Sequence, residues 1–224
     1  MLSEIEAEAP DELWCLGDLV GYGPRPNRCC RTVAARASLC LAGNHDLGVL
    51  GAEPLELFSP DAAAAAAWSQ RVLEPDPHDY LEGLRPLLRR EDVELFHASP
   101  RDPVWDYVLT EEAAVESLAL TTAPVVLIGH SHVPLALTPA NGSVAGGVAH
   151  GGAEIDLGRD RWLLNPGSVG QPRDGDPRAA WLLLDFDAGR AGFRRVEYPI
   201  VQTQREILDR GLPPLLAARL ADGQ

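Results

Sequence analysis

The chain has no lysine, few cysteines and no long hydrophobic run. All 19 of its basic residues are arginine, which excludes mechanisms that need a lysine, such as Schiff-base formation or phosphate binding by the lysine of a P-loop. None of the four cysteines has the C-x-x-C spacing of a redox or zinc motif. The sequence shows no signal-peptide pattern and no apolar stretch that could span a bilayer. We therefore expect a reduced, cytoplasmic protein without a membrane partner.

The net charge of −14 restricts the class of partner. Non-specific binding to long nucleic acids depends on lysine and arginine to neutralise phosphates, so such a partner is not expected. A small phosphorylated substrate is compatible with the charge if bound cations supply the local positive potential. We therefore expect a small phosphorylated substrate, and we predict no particular oligomeric state.

Four short apolar runs each end on side chains that can bind a metal ion. Residues 13–16 precede Asp18, 39–42 precede Asn44, 93–96 precede His97, and 125–128 precede His130 and His132. Runs of this length are typical of buried strands, and the ligands of open α/β sheets bind beyond the carboxyl ends of the strands. We therefore expect one carboxylate, one amide and three imidazoles to converge on a metal site of the nitrogen/oxygen type.

The pattern of helices and strands predicts an α/β fold, close to the boundary with α+β. Helices are expected at residues 2–8, 26–36, 110–120, 201–210 and 214–221, and residues 53–90 are expected to form a helical cap beside the sheet. Five short segments separated by turns, at 135–138, 153–157, 161–164, 179–186 and 192–198, predict a second, mainly antiparallel sheet. Together they predict a two-sheet sandwich flanked by helices, in one domain over residues 1–224.

The motifs resemble those of the calcineurin-like metallophosphoesterases, and most of all the small bacterial phosphodiesterases of the YfcE type. The residues that carry the resemblance are Gly17-Asp18-Leu19-Val20-Gly21, Gly43-Asn44-His45-Asp46, His97, Gly129-His130-Ser131-His132 and the late loop 165–173. In that family an Asp-x-His motif follows a first strand, and this chain begins after it. We interpret the chain as truncated at its N-terminus, with its first strand missing, through a misassigned start codon or a shortened product.

The resemblance implies two divalent cations about 3.5–4 Å apart, which clamp a phosphate and generate a hydroxide nucleophile at neutral pH. Asp18, Asn44, His97 and His130 would hold one ion. Asp18 and His132 would share the other with the absent motif. We expect Mn²⁺, with Ni²⁺, Co²⁺, Fe, Zn²⁺ or Mg²⁺ as alternatives, and two ions in a full-length family member but one in this chain.

Five further residues are candidates for catalysis or substrate binding. By resemblance, His45 faces the phosphate and assists the leaving oxygen, and Asp46 either orients that imidazole or is a first-turn carboxylate of a helix. Arg173 is a candidate phosphate clamp, with a surface position as the alternative. Asn165 is a candidate for substrate binding, although its Gly-rich surroundings favour a role in forming the turn. Tyr22 is a candidate for the pocket wall.

Three functions follow from these features. The leading hypothesis is a metal-dependent phosphoesterase that hydrolyses a small phosphodiester or a related phosphorylated compound through a metal-bound hydroxide. The second is a non-catalytic protein that binds a metal and a phosphate, because the first ligand motif is absent. The third, within the enzymes, is a dinucleoside polyphosphate hydrolase.

Overall fold

The computed structural model of the chain describes residues 1–90, 92–158 and 160–224. Helices and strands are interspersed up to residue 127, strands follow up to residue 196, and two α-helices come after them. The helices are α1 (Leu2–Ala7), α2 (Pro26–Arg36), α3 (Asn44–Val49), α4 (Pro60–Val72), α5 (Pro75–Glu82), α6 (Glu111–Ala119), α7 (Ile200–Asp209) and α8 (Pro214–Ala218). The strands are β1 (Trp14–Cys15), β2 (Leu39–Cys40), β3 (Leu87–Arg89), β4 (Val93–Phe96), β5 (Val125–Leu127), β6 (Leu135–Ala140), β7 (Ser143–Val148), β8 (Glu154–Asp156), β9 (Trp162–Asn165), β10 (Ala179–Asp185) and β11 (Arg190–Val196).

A mixed six-stranded sheet positions the polar residues that follow its central strands. Its order is β3-β4-β5-β9-β6-β7, and β4, β5 and β9 run parallel to one another. Strands β4 and β5 are buried along their whole length, as expected for apolar runs covered on both faces. The short parallel pair β1 and β2 lies apart from this sheet in the hydrogen-bond pattern. The carboxyl ends of β1, β2, β4 and β5 carry the predicted ligands.

Two hydrophobic layers cover the two faces of the six-stranded sheet. One face packs against a three-stranded antiparallel sheet of order β10-β11-β8, and the buried side chains between the sheets include Leu95, Leu127, Leu164 and Phe193. The other face packs against α6. This helix begins as predicted, because the Thr110 side chain accepts a hydrogen bond from the backbone of the first turn. The predicted fold class, a two-sheet sandwich flanked by helices, is confirmed.

The predicted helical cap is confirmed at α4 and α5 but is wrong at its end. Residues 87–89 form β3, which pairs antiparallel with β4 in the register Leu88 to Leu95. Pro86 cannot continue a helix without losing a hydrogen bond and clashing with the preceding turn. Pairing with β4 instead satisfies the backbone groups on the open side of that strand.

The prediction that the late strands form one separate sheet is also wrong in part. Strands β6 and β9 join the six-stranded sheet, where β9 runs parallel to β5 and places Leu163 and Leu164 in the core. Strand β7 was not predicted, because its glycines have low β-propensity. It pairs with β6 across a two-residue turn at Asn141 and Gly142, both with positive φ, which is a common hairpin signal.

The remaining helices agree with the sequence, and α3, which follows β2 closely, was indicated only by the alternative in which Asp46 is a first-turn carboxylate of a helix. Helices α2 to α5 share a cluster of buried side chains on one side of the molecule, and α4, α7 and α8 share a second. None of the helices described is both long enough and apolar enough to cross a bilayer.

Candidate metal centre

Three of the predicted ligands have a backbone conformation that is unusual for residues other than glycine. Asp18, His130 and His132 have φ values of 58°, 57° and 60°. Non-glycine residues in the left-handed region are uncommon and are strained by about 1–3 kcal/mol each. Asp18 lies two residues after the half-buried apolar run at 13–16, and His130 and His132 lie two and four residues after the buried run at 125–128. Such strain, when it is concentrated at one place, is typical of a functional site.

The five predicted ligands lie together around one carboxylate oxygen. Oδ2 of Asp18 is 3.6 Å from Nε2 of His97 and 4.0 Å from Nε2 of His132. Nε2 of His97 is also 3.3 Å from the amide oxygen of Asn44. Ligand atoms of Asp18, His97 and His130 all lie within 4.8 Å of one another. The structure therefore brings the ligands from four strand ends to the same point.

The hydrogen bonds of the imidazoles leave their other nitrogens free for a metal. Nδ1 of His97 lies 2.7 Å from the carbonyl of Leu16, and Nδ1 of His132 lies 2.7 Å from the carbonyl of Gln171. A carbonyl only accepts, so we assign the ring protons to Nδ1, which leaves the lone pairs on Nε2. Nε2 of His130 is buried and has no hydrogen-bond partner among the described residues. A divalent cation would satisfy these converging acceptors, so the residues fit a metal site.

Burial favours the neutral form of three imidazoles at the site, those of His45, His130 and His132. Burial lowers the pKa of His45 to about 4 and, with the neighbouring His97, lowers that of His130 to about 3. Burial also lowers the pKa of His132. Burial would raise the pKa of Asp18, but the surrounding imidazoles, above all His97, outweigh it and hold that pKa well below its usual range. An ionised Asp18 beside neutral His130 and His132 is the protonation state that binds a metal cation.

Asp46 holds two of the ligand segments together through backbone hydrogen bonds. Its Oδ2 accepts from the backbone N–H groups of Asp18 and Gly43, both at 2.8 Å. Its Oδ1 accepts from those of Leu19 at 2.9 Å and Val20 at 3.2 Å. These contacts favour the interpretation of Asp46 as a first-turn carboxylate of α3. Any influence of Asp46 on the neighbouring His45 passes through the backbone.

Two glycines permit the close approach of the segments that carry Asp18 and His45. A Cβ on Gly43 would lie 2.0 Å from Oδ1 of Asp18, so no other residue fits there without displacing the carboxylate. A Cβ on Gly21 would lie 2.3 Å from Nδ1 of His45, and Gly21 also has a φ of 116°. The His45 ring is buried, and its Nδ1 has no hydrogen-bond partner within the described ranges. The position of His45 therefore depends on Gly21.

Arg173 and Tyr22, the candidates for substrate binding, lie beside the metal centre. Nη2 of Arg173 donates to the Tyr22 hydroxyl at 3.2 Å and to Oε1 of Gln171 at 2.8 Å. The backbone N–H of Arg173 donates to the carbonyl of His132 at 3.2 Å. The ring of Tyr22 lies 4.1 Å from that of His45, measured between centroids. These contacts support a role for Arg173 at the site rather than on a remote surface.

Asn165 has the contacts of a residue that shapes the loop. It is fully buried, and its side-chain nitrogen donates to the carbonyl of Gly129 at 2.7 Å and to the Ser131 hydroxyl at 3.0 Å. Its side-chain oxygen accepts from the backbone of Gly167 at 2.9 Å. With both ends of the amide occupied, Asn165 supports the segment between His130 and His132, as the turn-forming alternative predicts.

Sequence analysis missed several residues around the centre. Gln171 orients both His132 and Arg173, and its place in the late loop was the only signal for it. Phe58 packs on His45 with 4.9 Å between ring centroids, and Tyr107 packs on His130 at 4.0 Å. Trp105 packs on Phe58, and its indole N–H donates to Glu53 at 2.9 Å. Nothing in the sequence pattern indicates the positions of Phe58 and Tyr107.

Comparisons with known proteins agree with this geometry. A family model described as the calcineurin-like phosphoesterase superfamily domain matches residues 1–189. The chain is 34% identical to the protein MJ0912 of Methanocaldococcus jannaschii, over all of this chain and 91% of that protein. It is 35% identical to a symmetrical bis(5'-nucleosyl)-tetraphosphatase of Nitrosococcus oceani, over 55% of this chain and 46% of that protein. The crystal structure of a metallophosphoesterase from Sphaerobacter thermophilus superposes with a TM-score of 0.89, at 38% identity, over all of this chain and 93% of the other.

Proposed function

Because the chain belongs to the calcineurin-like phosphoesterase superfamily, we propose that it is a hydrolase that cleaves a phosphoester bond with the help of divalent metal ions. The observation that carries the proposal is the convergence of free imidazole nitrogens and the Asn44 amide oxygen on the carboxylate of Asp18. Neutral nitrogen and oxygen donors around one carboxylate are suited to the ions that assist phosphoryl chemistry.

The residues divide into two ligand sets around the shared carboxylate. Asp18, Asn44, His97 and His130 would hold one ion, and Asp18 and His132 would contribute to a second. Bound ions would supply the Lewis acidity that polarises a phosphoryl group and makes water acidic enough to attack at neutral pH. The preferred ion in this proposal is Mn²⁺. The hydrogen bonds from Nδ1 of His97 and His132 fix both rings, so their ligand nitrogens are oriented before an ion binds.

The side chains beside the ligands supply the contacts to the substrate. Arg173, held by Gln171 and Tyr22, would donate to the non-bridging oxygens of the phosphate. His45, adjacent to the ligand Asn44 and packed against Tyr22, would donate a hydrogen bond to the leaving oxygen. The substrate would be a small phosphodiester, as expected for the YfcE-like branch, because the acidic protein disfavours long nucleic acids.

A dinucleoside polyphosphate is a second candidate substrate. The match to the symmetrical bis(5'-nucleosyl)-tetraphosphatase favours it, since it includes more than half of this chain. Such a substrate has two nucleosides joined by phosphates, and one nucleoside with its share of the phosphates would leave on hydrolysis. Hydrolysis of diadenosine tetraphosphate, compared with that of bis-p-nitrophenyl phosphate, distinguishes the two candidates.

The test is a hydrolysis assay of the purified chain with bis-p-nitrophenyl phosphate and added Mn²⁺, Ni²⁺, Co²⁺, Zn²⁺ or Mg²⁺. We expect turnover that a chelator abolishes, and we expect His45→Gln to lower kcat by about 10²- to 10⁴-fold. The matched control is His150→Gln, because His150 is exposed in a loop between β7 and β8. Metal binding without turnover of either substrate would contradict the proposal and support the non-catalytic alternative.

A further inference from the structure

Aromatic rings contact two imidazoles of the candidate site, although aromatic residues are few in this chain. The sequence has five Trp, four Tyr and four Phe. Tyr22 and Phe58 pack on His45, with 4.1 and 4.9 Å between ring centroids. Tyr107 packs on His130 at 4.0 Å, with 34° between the ring planes. Three aromatic rings thus contact the imidazoles of the candidate site.

Tyr107 differs from the other two in its exposure. It is 45% exposed, whereas Tyr22 and Phe58 are half-buried. One face of the Tyr107 ring lies against His130, which leaves the opposite face for a ligand. An exposed aromatic ring beside a polar centre offers a flat apolar surface to a ligand.

The neighbours of Tyr107 hold it in this exposed position. Asp106 accepts hydrogen bonds from the Ser99 hydroxyl at 2.5 Å and from Nε of Arg101 at 2.9 Å. Val108 on the other side is 2% exposed and packs in the layer beneath α6. The backbone on both sides of Tyr107 is therefore anchored. Because the ring is already in place, a ligand that stacks on it would pay little ordering entropy.

The surroundings of Tyr107 suit a ligand with both a charged and a planar part. The metal ligand His130 lies against the ring, and Arg173 with its partner Tyr22 lies beside the same centre. A phosphate at the centre would leave the group attached to it close to Tyr107. We propose that Tyr107 is a specificity-determining residue that stacks on the base of a nucleotide substrate whose phosphate lies at the metal centre. This inference rests on the proposed function, which it extends to a nucleotide substrate class.

The test compares binding of AMP with binding of ribose 5-phosphate, which has the same phosphate and sugar but no base. Calorimetric titration of the chain in excess Mn²⁺ measures both affinities without turnover. Stacking of a base on an aromatic ring strengthens binding by a factor of about 5 to 150. We expect AMP to bind more tightly than ribose 5-phosphate by a factor in this range.

Variants at two positions of the same loop assign the preference to the ring. Tyr107→Ala is expected to remove most of the preference for AMP, whereas Tyr107→Phe keeps the ring and is expected to retain it. The control is Leu109→Ala, since Leu109 is exposed to 58% and lies two residues further along the chain. This variant is expected to keep the preference of the wild type.

Equal binding of AMP and ribose 5-phosphate to the wild type would overturn the inference. So would an unchanged preference in Tyr107→Ala. Neither outcome depends on whether the proposed function is correct. Hydrolysis of phosphoesters without any AMP preference overturns the stacking site alone, and an AMP preference that depends on Tyr107 supports the site even in a chain that hydrolyses no ester.

Discussion

Different interactions hold the metal centre and the three-stranded sheet in place. The segments at residues 17–21, 43–46, 97–99 and 129–132, here called the ligand loops, contain left-handed residues and buried polar groups tied to the backbone. The sheet β10-β11-β8 has regular antiparallel pairing, and its inner face is apolar. The ligand loops are thus positioned by side-chain hydrogen bonds and glycines, and the sheet by apolar burial.

This difference predicts where a substitution should affect stability and where it should affect function. Loss of buried apolar surface in the sheet lowers the free energy of unfolding but leaves the geometry of the metal ligands unchanged. Loss of a hydrogen bond or a glycine in the ligand loops changes the positions of the ligands even when the protein still folds. The following substitutions test this separation.

The largest expected effect is that of Phe193→Ala on stability. Phe193 lies on β11 between the two sheets and is 2% exposed. We expect the free energy of unfolding in urea to fall by about 3–5 kcal/mol, with Mn²⁺ affinity of the folded protein unchanged. The control is Phe186→Ala, because Phe186 is 46% exposed and should cost about 1 kcal/mol or less. A comparable loss of Mn²⁺ affinity in Phe193→Ala would remove the distinction between the two regions.

Asp46→Asn should affect both stability and metal binding. The substitution replaces one carboxyl oxygen by an amide nitrogen, so one acceptor is lost from a side chain that accepts four backbone hydrogen bonds across two ligand loops. We expect a loss of about 2–3 kcal/mol in stability and about a 10- to 100-fold loss in Mn²⁺ affinity. Glu112→Gln is the control, since Glu112 is an exposed first-turn carboxylate of α6. An effect on stability alone would show that the loops do not depend on Asp46 for their metal geometry.

Gly21→Ala should lower activity more than stability. The added methyl group would overlap the ring of His45, which must leave its present position. We expect kcat for bis-p-nitrophenyl phosphate to fall by about 10- to 100-fold. The matched substitution Gly23→Ala places its methyl group in open space two residues later. Equal activity of the two variants would argue against the dependence of His45 on Gly21.

The smallest expected effect is that of Tyr22→Phe. It removes the hydroxyl that accepts from Arg173 but keeps the ring against His45 and the bond from Arg173 to Gln171. We expect KM to rise by about 3- to 10-fold with little change in kcat, because one neutral acceptor of about 1 kcal/mol is lost. Steady-state kinetics separates the two parameters, and a fall in kcat alone would place the hydroxyl in the chemical step.

The ligand positions could be predicted from sequence because each depends on a local pattern. An apolar run followed by glycine and a polar residue indicates a strand that delivers a side chain at its end, and this pattern occurs at Asp18, Asn44 and His130. The start of α6 was predictable because an N-cap Thr110 followed by Glu111 and Glu112 is also a local sequence pattern. Residues whose roles follow from their own neighbours in the chain are accessible to this kind of reasoning.

The remaining features depend on contacts between distant parts of the chain. Gln171 orients His132 from 39 positions away, and Tyr107 reaches His130 only because the anchored loop at residues 99–108 places it there. Strand β3 forms where a helix was expected because β4 offers it a pairing edge. Asp46 was ambiguous in the sequence, and its four backbone contacts become visible only in the fold.

The most direct test of the metal centre is calorimetric titration of Mn²⁺ into the wild type, Asp18→Asn and His78→Gln. His78 is the control because it belongs to a second group, His78, Asp79 and Glu82, whose ligand atoms also lie within 4.8 Å of one another but in which Asp79 and Glu82 are exposed. The account predicts that Asp18→Asn weakens Mn²⁺ binding by about 100-fold or more, since it removes the charge on which the imidazoles converge, and that His78→Gln leaves the binding unchanged. Unaltered Mn²⁺ binding in Asp18→Asn, or its loss in His78→Gln, would contradict the account.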